Sequence, residues 1–293
     1  MNDEIKRHAL SFGQVADAYD RARPSYPDDA ARWLTGEGRL SVLELGAGTG
    51  LLTQTLVGQG HRVVATDPSP EMLGRLRERV TPYSVGVSGA EAIPAPDRSI
   101  DVVVCAQSFH WFDHERALPE IARVLRPGGY LAMVWNQRDE SIPWVRRLGA
   151  LIDREGRDLD LVEPVRSSSL FAEVEEQTFR CWQDLGREGL LDLVRSRSAV
   201  AVLDEDARAE RLARVAAMYD DLGRGPAGLR LPYVTLCYRA QVIHPPEPDP
   251  RPEVEMTEDG PATVADKPAA PEATEPKQSE PPEDPGHLLI DFR

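Results

Sequence analysis

Lysine is almost missing: Lys6, Lys267 and Lys277 stand against 31 arginines. That bias reads as genomic base composition and carries no functional weight. Cysteine is equally scarce. Cys105, Cys181 and Cys237 lie far apart, form no CxxC pair and have no histidine cluster beside them. Their spacing excludes a disulfide framework and a zinc site. The six histidines are scattered, so no metal is expected. The three thiols read as reduced core residues of a cytoplasmic protein. No window approaches eighteen uninterrupted apolar residues, which excludes a membrane-spanning helix. The opening segment MNDEIKRHALSFG is charged and has no apolar stretch, so a secretory leader is not expected. A Lys/Arg stripe is also missing, which makes nucleic acid a poor partner. There is no basic amphipathic face for an anionic membrane either, and no internal repeat.

What is present divides into two parts. The chain has 293 residues, 41% hydrophobic and 28% charged, with 25 prolines, a net charge of −15 and room for a full α/β core. Residues 245–293 carry 13 acidic and 4 basic side chains, a net of −9, which leaves the preceding 244 residues only mildly acidic at −6. Residues 245–286 hold 12 of the prolines and no aromatic residue. A segment of that composition cannot bury enough apolar surface to offset the entropy of ordering it, so residues 245–293 are expected to be a disordered, Pro/Glu-rich acidic tail. Its end, HLLIDFR, is apolar at Leu288, Leu289, Ile290 and Phe292. This HLLIDF segment reads either as a frayed terminus or as a docking peptide for a protein partner.

From about Leu40 to Trp135, short apolar runs alternate with amphipathic stretches. The runs are LSVLELG (40–46), HRVVATD (61–67), PYSVGV (82–87), IDVVVCA (100–106) and GGYLAMVW (128–135). Each is short, aliphatic and suited to a strand covered on both faces. Helices are predicted over Gly50–Val57, over Ser69–Val80 with Ser69 as N-cap and Pro70 at N1, and over His114–Leu125. The last of these is expected to close at the Pro127-Gly128-Gly129 turn. Such alternation predicts right-handed βαβ units and a parallel sheet. Further on, Ile142–Asp158, Glu188–Ser198 and Asp204–Leu222 read as helices, and Val174–Trp182 and Leu231–Val242 as strands. Residues 11–35 read as a helix pair interrupted at Pro24 and Pro27.

The most informative residues are VLELGAGTG, Val42 to Gly50, where a buried strand runs into three glycines and then a helix. Gly46 and Gly48 remove the Cβ where a backbone must approach a ligand, and Gly50 permits tight packing. Asp67, at the end of the next strand, is placed to accept both hydroxyls of a ribose. The spacing G-x-G-x-G departs from the dinucleotide pattern G-x-G-x-x-G, because Leu51 stands where the third glycine belongs. Glu44 would repel a pyrophosphate but suits a ligand bearing an ammonium or sulfonium group. Both features disfavour a nicotinamide dehydrogenase.

In these motifs the chain resembles the class I S-adenosylmethionine-dependent methyltransferases. E-L-G-A-G-T-G and T-D-P-S-P-E-M-L are similar to the family's first two motifs. G-A-E-A-I-P (89–94), D-V-V-V-C-A-Q-S-F-H-W-F (101–112) and L-R-P-G-G (125–129) follow in family order. Y-D-R-A-R-P-S-Y-P (19–27), S-R-S-A-V (196–200) and L-P-Y-V-T (231–235) are similar to a subgroup of trans-aconitate-type and related small-molecule methyltransferases. The resemblance implies an α/β fold: a Rossmann-like, seven-stranded, mostly parallel sheet with helices on both faces, an antiparallel last strand and an N-terminal helical cap. It implies a methyltransferase domain over 1–244, with the cap at 1–35, a cofactor-binding core at 36–140 and acceptor-side helices with the last two strands at 141–244.

The same resemblance implies S-adenosyl-L-methionine as cofactor, with Glu44, Gly46 and Gly48 facing its methionine part, Ala47 and Gly50 completing the cofactor-binding turn, and Asp67 holding the ribose. Met72 would pack near the adenine or simply belong to the core. Ala90 and Glu91 would meet the adenine edge and Gln107 would close the site. The expected function is methyl transfer to a small-molecule acceptor at oxygen, either a carboxylate or a hydroxyl. A hydroxyl would need a general base, and His110 is the natural candidate, though it and Trp111 could equally pack the next helix. Tyr19 and Arg23 of the cap are candidates for covering the cofactor, and Arg23 for pairing with a carboxylate. A catalytically silent cofactor-binding scaffold whose tail recruits partners is the alternative.

Overall fold

The computed structural model describes residues 23–152, 160–197, 200, 202–222 and 228–244. Tyr19, the first part of the cap, the 245–293 tail with its HLLIDF segment, and residues 153–158 of the helix expected over 142–158 lie outside the described residues.

A short strap, residues 23–27, leads into α1 (Asp28–Thr35). The order is then β1 (Ser41–Leu45), α2 (Leu51–Gly58), β2 (Arg62–Asp67), α3 (Pro70–Arg79), β3 (Ser84–Val87) and β4 (Ile100–Ala106). A 3₁₀ turn at Phe109–Trp111 leads to α4 (His114–Val124) and the long β5 (Leu125–Arg138). The remainder comprises α5 (Pro143–Ile152), the single turn α6 (Glu163–Arg166), β6 (Glu175–Leu185), α7 (Arg187–Arg195), α8 (Glu205–Leu222) and β7 (Leu229–Gln241). The seven strands form one sheet in the order β3-β2-β1-β4-β5-β7-β6. Neighbours from β3 to β5 pair parallel, and β7 runs antiparallel to both β5 and β6. The expected mostly parallel sheet with an antiparallel last strand is the one observed.

The continuous apolar runs are explained by cover on both faces. Val42, Val63, Val102 and Val104 turn to one side, where Ala30, Ala31 and Leu34 of α1 and Leu52 and Leu56 of α2 pack on them. Their chain neighbours Leu43, Val64 and Val103 turn to the other, joining Phe109 and Ala117, Leu118 and Ile121 of α4. Alternation of period two within an apolar run is what a strand in the middle layer requires. A separate apolar cluster unites α5, α7 and α8 with Leu231 and Tyr233 of β7. The edge strand β6 is largely exposed, and its charged residues Glu175, Glu176, Arg180 and Asp184 discourage pairing with another sheet edge.

α3 begins as the sequence predicts: the Ser69 hydroxyl accepts the Met72 N–H at 3.3 Å and Pro70 opens the helix. One expectation is corrected. The Pro127-Gly128-Gly129 stretch does not separate α4 from its strand but bulges within β5, which already begins at Leu125. Ile100 pairs with Leu125 and Val102 with Tyr130, so two residues of β4 oppose five of β5. The wide bulge is possible because Gly128 adopts a φ of 82°.

Candidate active site

Most of the residues marked by the sequence gather past the carboxyl ends of β1, β2 and β4, where open α/β sheets hold ligands. The turn after β1 owes its shape to two glycines. Gly46 has a φ of 69°, and a Cβ there would fall 2.5 Å from the Cβ of Ser108, the residue that follows Gln107 beyond β4. The Ser108 hydroxyl donates to the Leu45 carbonyl at 2.7 Å, tying the two strand ends together. Gly48 has a φ of 56°, and a Cβ there would meet nothing within 4 Å. Its backbone therefore borders open space, the cradle a close-approaching ligand needs. At Gly50 a Cβ would come 2.8 Å from Leu76 Cγ of α3, which accounts for that glycine by packing. Ala47 anchors the turn to β2 through its N–H on the Thr66 carbonyl at 2.9 Å.

Two carboxylates stand at this turn. Asp67 is 8% exposed; its Oδ1 accepts the Ser69 N–H at 2.8 Å and its Oδ2 the Gly48 N–H at 2.9 Å. Each oxygen keeps a further lone pair for a hydroxyl. Burial raises the Asp67 pKa, opposed by those two backbone hydrogen bonds. Glu44 is 1% exposed and accepts the Thr53 hydroxyl at 2.6 Å on Oε2. Burial pushes its carboxyl up to about 8; the Thr53 hydrogen bond works against this and the charge of Asp67 adds to it. A carboxyl in that state is poised to ionise when a cation arrives. These donors, acceptors and open backbone fit a ligand that carries both a ribose and a positive charge.

Met72 and Ala90 are buried, Ala90 within the apolar cluster on the α4 side. The Glu91 carboxylate is turned toward backbone, Oε1 accepting the Asp113 N–H at 3.0 Å just before α4. Gln107 adopts a φ of 55°, a conformation uncommon for a side-chain-bearing residue. Its N–H donates to Val134 O at 2.9 Å and its side-chain amide to Asn136 O at 3.2 Å, joining the ends of β4 and β5.

His110 sits at the rim with part of its ring exposed. Trp135 Nε1 donates to its Nδ1 at 3.4 Å, and the Trp111 ring lies 4.7 Å away, centroid to centroid. Loss of hydration where the ring packs against its neighbours first, and the nearby His114 second, lower its pKa, which favours the neutral ring at physiological pH. With Nδ1 accepting, the ring proton resides on Nε2. Arg23 acts electrostatically on Tyr233 of β7, and it is not among the groups that shift Glu44 or Asp67.

Sequence reasoning missed Thr53, Ser108, Asn136 and Thr235. Asn136 could have been found by the same end-of-strand rule, since it lies beyond the apolar run of β5. Its Nδ2 donates to Ser25 O of the strap at 3.3 Å, and its Oδ1 accepts the buried Thr235 hydroxyl at 2.6 Å. Thr235 closes the L-P-Y-V-T stretch, but nothing in the sequence ties it to Asn136, 99 residues away. A cavity of about 510 Å³ lies between α1 and α2, lined by Ser25, Tyr26, Arg32, Leu51, Gln54 and Gln59 among others. Neither Glu44 nor Asp67 lines it. Among the described residues no three His, Cys, Asp or Glu side chains gather as a metal site, and no helix is long and apolar enough to cross a membrane.

Comparisons with known proteins bear on the family and the fold. The family description "Methyltransferase domain" matches residues 43–133. An uncharacterized methyltransferase of Mycobacterium tuberculosis (strain ATCC 25618 / H37Rv) is 47% identical over 242 residues, spanning 79% of this chain and 96% of that protein. A malonyl-[acyl-carrier protein] O-methyltransferase of Serratia marcescens is 32% identical over 137 residues, 44% of this chain and 53% of that one. Among solved structures, a candidate type II methyltransferase from Anaeromyxobacter dehalogenans superposes with a TM-score of 0.59 at 25% identity, covering 75% of this chain and 97% of that one.

Proposed function

The chain belongs to the class I S-adenosylmethionine-dependent methyltransferases, and on that premise we propose that it methylates an oxygen of a small molecule in the cytoplasm. S-adenosylmethionine supplies a methyl carbon made electrophilic by a sulfonium. The task of the protein is to hold and align. Asp67 accepts the ribose hydroxyls, Glu44 meets the positive charge, and the backbone at Gly46, Ala47 and Gly48 makes close approach possible. Met72 and Ala90 offer apolar walls that exclude water, and Gln107 braces the mouth of the site between β4 and β5. Alignment of this kind supplies about 7–11 kcal/mol of barrier reduction.

The observation that carries the choice of oxygen is the state of His110. A neutral ring whose Nδ1 already accepts the Trp135 N–H, with a pKa near 4, is a weak general base. It is better suited to donate from Nε2. A carboxylate is ionised at neutral pH, brings its own lone pair and requires no proton removal. An acceptor carboxylate is therefore favoured over a hydroxyl, which would need His110 or the cap residue Tyr19 as base. The similarity to an O-methyltransferase of Serratia marcescens is consistent with an oxygen target. The small, mildly acidic body argues against a nucleic-acid acceptor. The three free cysteines, two of them buried, suit a reducing compartment.

The test is transfer of label from methyl-labelled S-adenosylmethionine to an acid-soluble metabolite extract. The expected product releases its label as volatile methanol in mild alkali, as a methyl ester does. An alkali-stable methylamine product would overturn the oxygen assignment. Tight cofactor binding with no transfer to any fraction would favour the silent scaffold.

A further inference from the structure

Asn136 is 8% exposed and lies two residues past Val134, where the pairing of β5 with β4 ends. Its Nδ2 donates to the Ser25 carbonyl at 3.3 Å, its Oδ1 accepts the Thr235 hydroxyl at 2.6 Å, and its backbone carbonyl accepts the Gln107 side chain at 3.2 Å. Chemistry fixes the orientation of the amide. A carbonyl can only accept, so the group facing Ser25 O is the NH₂, and the Thr235 hydroxyl must then donate to Oδ1. Thr235 is fully buried and stands in register with Asn136 across β5 and β7. Its one proton is committed to Asn136, so in its 3.6 Å contact with Cys181 Sγ the thiol is the donor. The hydrogen bonds thus run in one direction, from β6 through β7 and β5 to the strap.

The strap borders the cofactor site. Ser25 meets Asn136 at the end of β5, and Ser25 and Tyr26 line one cavity with Leu51, which follows Gly50 at the start of α2. Tyr26 is buried in the same apolar cluster as Leu52, Val104 and Val134. In the sheet β4 stands between β5 and β1, so the strap runs from one side of the site to the other. A second connection follows the strand ends. Gln107 is succeeded by Ser108, whose hydroxyl donates to the Leu45 carbonyl beside Gly46. The glycine turn is therefore tied to Asn136 both through the strap and through Gln107 and Ser108.

We infer that Asn136 is a positioning residue for cofactor binding, which acts by holding the strap at Ser25 against the end of β5. The strap needs such a hold. Residues 23–27 belong to neither a helix nor a strand, and Pro24 and Pro27 have no N–H to donate. Once the Ser25 carbonyl is released, the strap samples other positions, and a ligand that binds against it must also order it. Affinity falls without the loss of any contact to the ligand. Thr235 is the second half of the device: its hydroxyl, donating at 2.6 Å from a buried strand, sets the plane of the Asn136 amide so that the NH₂ faces Ser25. Asparagine suits the position because its short planar group carries a donor and an acceptor together, which neither aspartate nor leucine of the same size offers.

This inference rests on the methyltransferase reading, and the experiment separates the two. Dissociation of S-adenosylhomocysteine is followed by surface plasmon resonance on wild type, Asn136→Ala, Thr235→Val and Thr235→Ser, with the thermal midpoint of each protein measured alongside. Asn136→Ala is expected to release the ligand about tenfold faster than wild type. Thr235→Val keeps Asn136 but removes the hydroxyl that orients it, and should release the ligand about threefold faster. Thr235→Ser restores a hydroxyl and should match wild type. Release from Asn136→Ala at the wild-type rate, whatever its midpoint, overturns the inference and leaves Asn136 a structural residue. Faster release from Asn136→Ala with no change in Thr235→Val also overturns it, because Asn136 would then act by touching the ligand. Equal effects of Thr235→Val and Thr235→Ser overturn it too, by tracing the effect to packing at Thr235. Should Asn136→Ala fail to fold, the two Thr235 variants decide the matter. No binding of S-adenosylhomocysteine to wild type would sink the cofactor reading, and the inference with it.

Discussion

The two ends of the sheet are built in different ways. On the β1–β2 side, the residues that would hold the cofactor come from a continuous stretch of chain: Glu44, the glycine turn, Thr53 and Asp67 lie within 24 residues and are joined by short hydrogen bonds. On the β5–β7 side, Ser25, Asn136, Cys181 and Thr235 come from segments spread over more than two hundred positions. The first site is assembled by local backbone geometry. The second arrangement exists only because β7 inserts antiparallel between β5 and β6 and carries Thr235 to Asn136. A site made by a turn leaves little room for variation. An arrangement made by packing of distant segments can vary while the turn remains intact.

The comparison predicts that the cofactor side fails sharply under small changes. The largest effect is expected from Gly46→Val, which combines a φ of 69° with a Cβ 2.5 Å from that of Ser108. A loss of about 3 kcal/mol in unfolding free energy follows, read by urea denaturation; wild-type stability in the variant would show that the turn is not the rigid element described above. Next is Asp67→Ala, which removes a carboxylate poised for two hydroxyls. It should weaken S-adenosylhomocysteine binding by about 2 kcal/mol, roughly 30-fold. Calorimetry that found the affinity unchanged would show that Asp67 does not hold the ribose.

A further prediction concerns a proton. Glu44 has a folded pKa of about 8 against an ordinary 4.5. Because the folded value is raised, the stabilising effect of the neutral carboxyl is complete below about 4.5 and is lost as pH climbs through about 8. The melting temperature of the ligand-free protein should accordingly fall between pH 5 and pH 8, and Glu44→Gln should flatten that slope. Near pH 7 a cationic ligand should draw the pKa down and release somewhat less than one proton. Calorimetry in buffers of different ionisation enthalpy reads that release, and finding none would exclude charge pairing at Glu44.

Much of the fold was legible because strands covered on both faces leave a strong apolar signal. Val42–Leu45, Val63–Asp67 and Val102–Cys105 could hardly be read otherwise, and Ser69-Pro70 marked a helix start with a physical mechanism. The Pro127-Gly128-Gly129 stretch misled because Pro and Gly signal a turn without telling whether the turn ends a strand or bulges inside one; the ladder to β4 decides that. The candidate cofactor-binding residues Glu44, Gly46, Asp67 and Gln107 were visible at strand ends. Thr53 and Ser108 were not, since a buried hydroxyl and a tight Cβ contact have no local signature. Glu91 could be placed by sequence near the site, but only the fold shows its carboxylate accepting the Asp113 N–H.

The sequence by itself therefore determined the order of strands and helices and the glycine turn with its two carboxylates, while the class of cofactor followed from the resemblance of its motifs to a family. The elements and the turn depend on periodicity and on backbone freedom, which are properties of neighbouring residues. Only the tertiary structure decided the protonation bias of Glu44, the tautomer and weak basicity of His110, and the meeting of Ser25, Asn136 and Thr235. Burial and electrostatic fields are sums over everything within several ångströms, and most of what lies that close to these groups is remote from them in the chain.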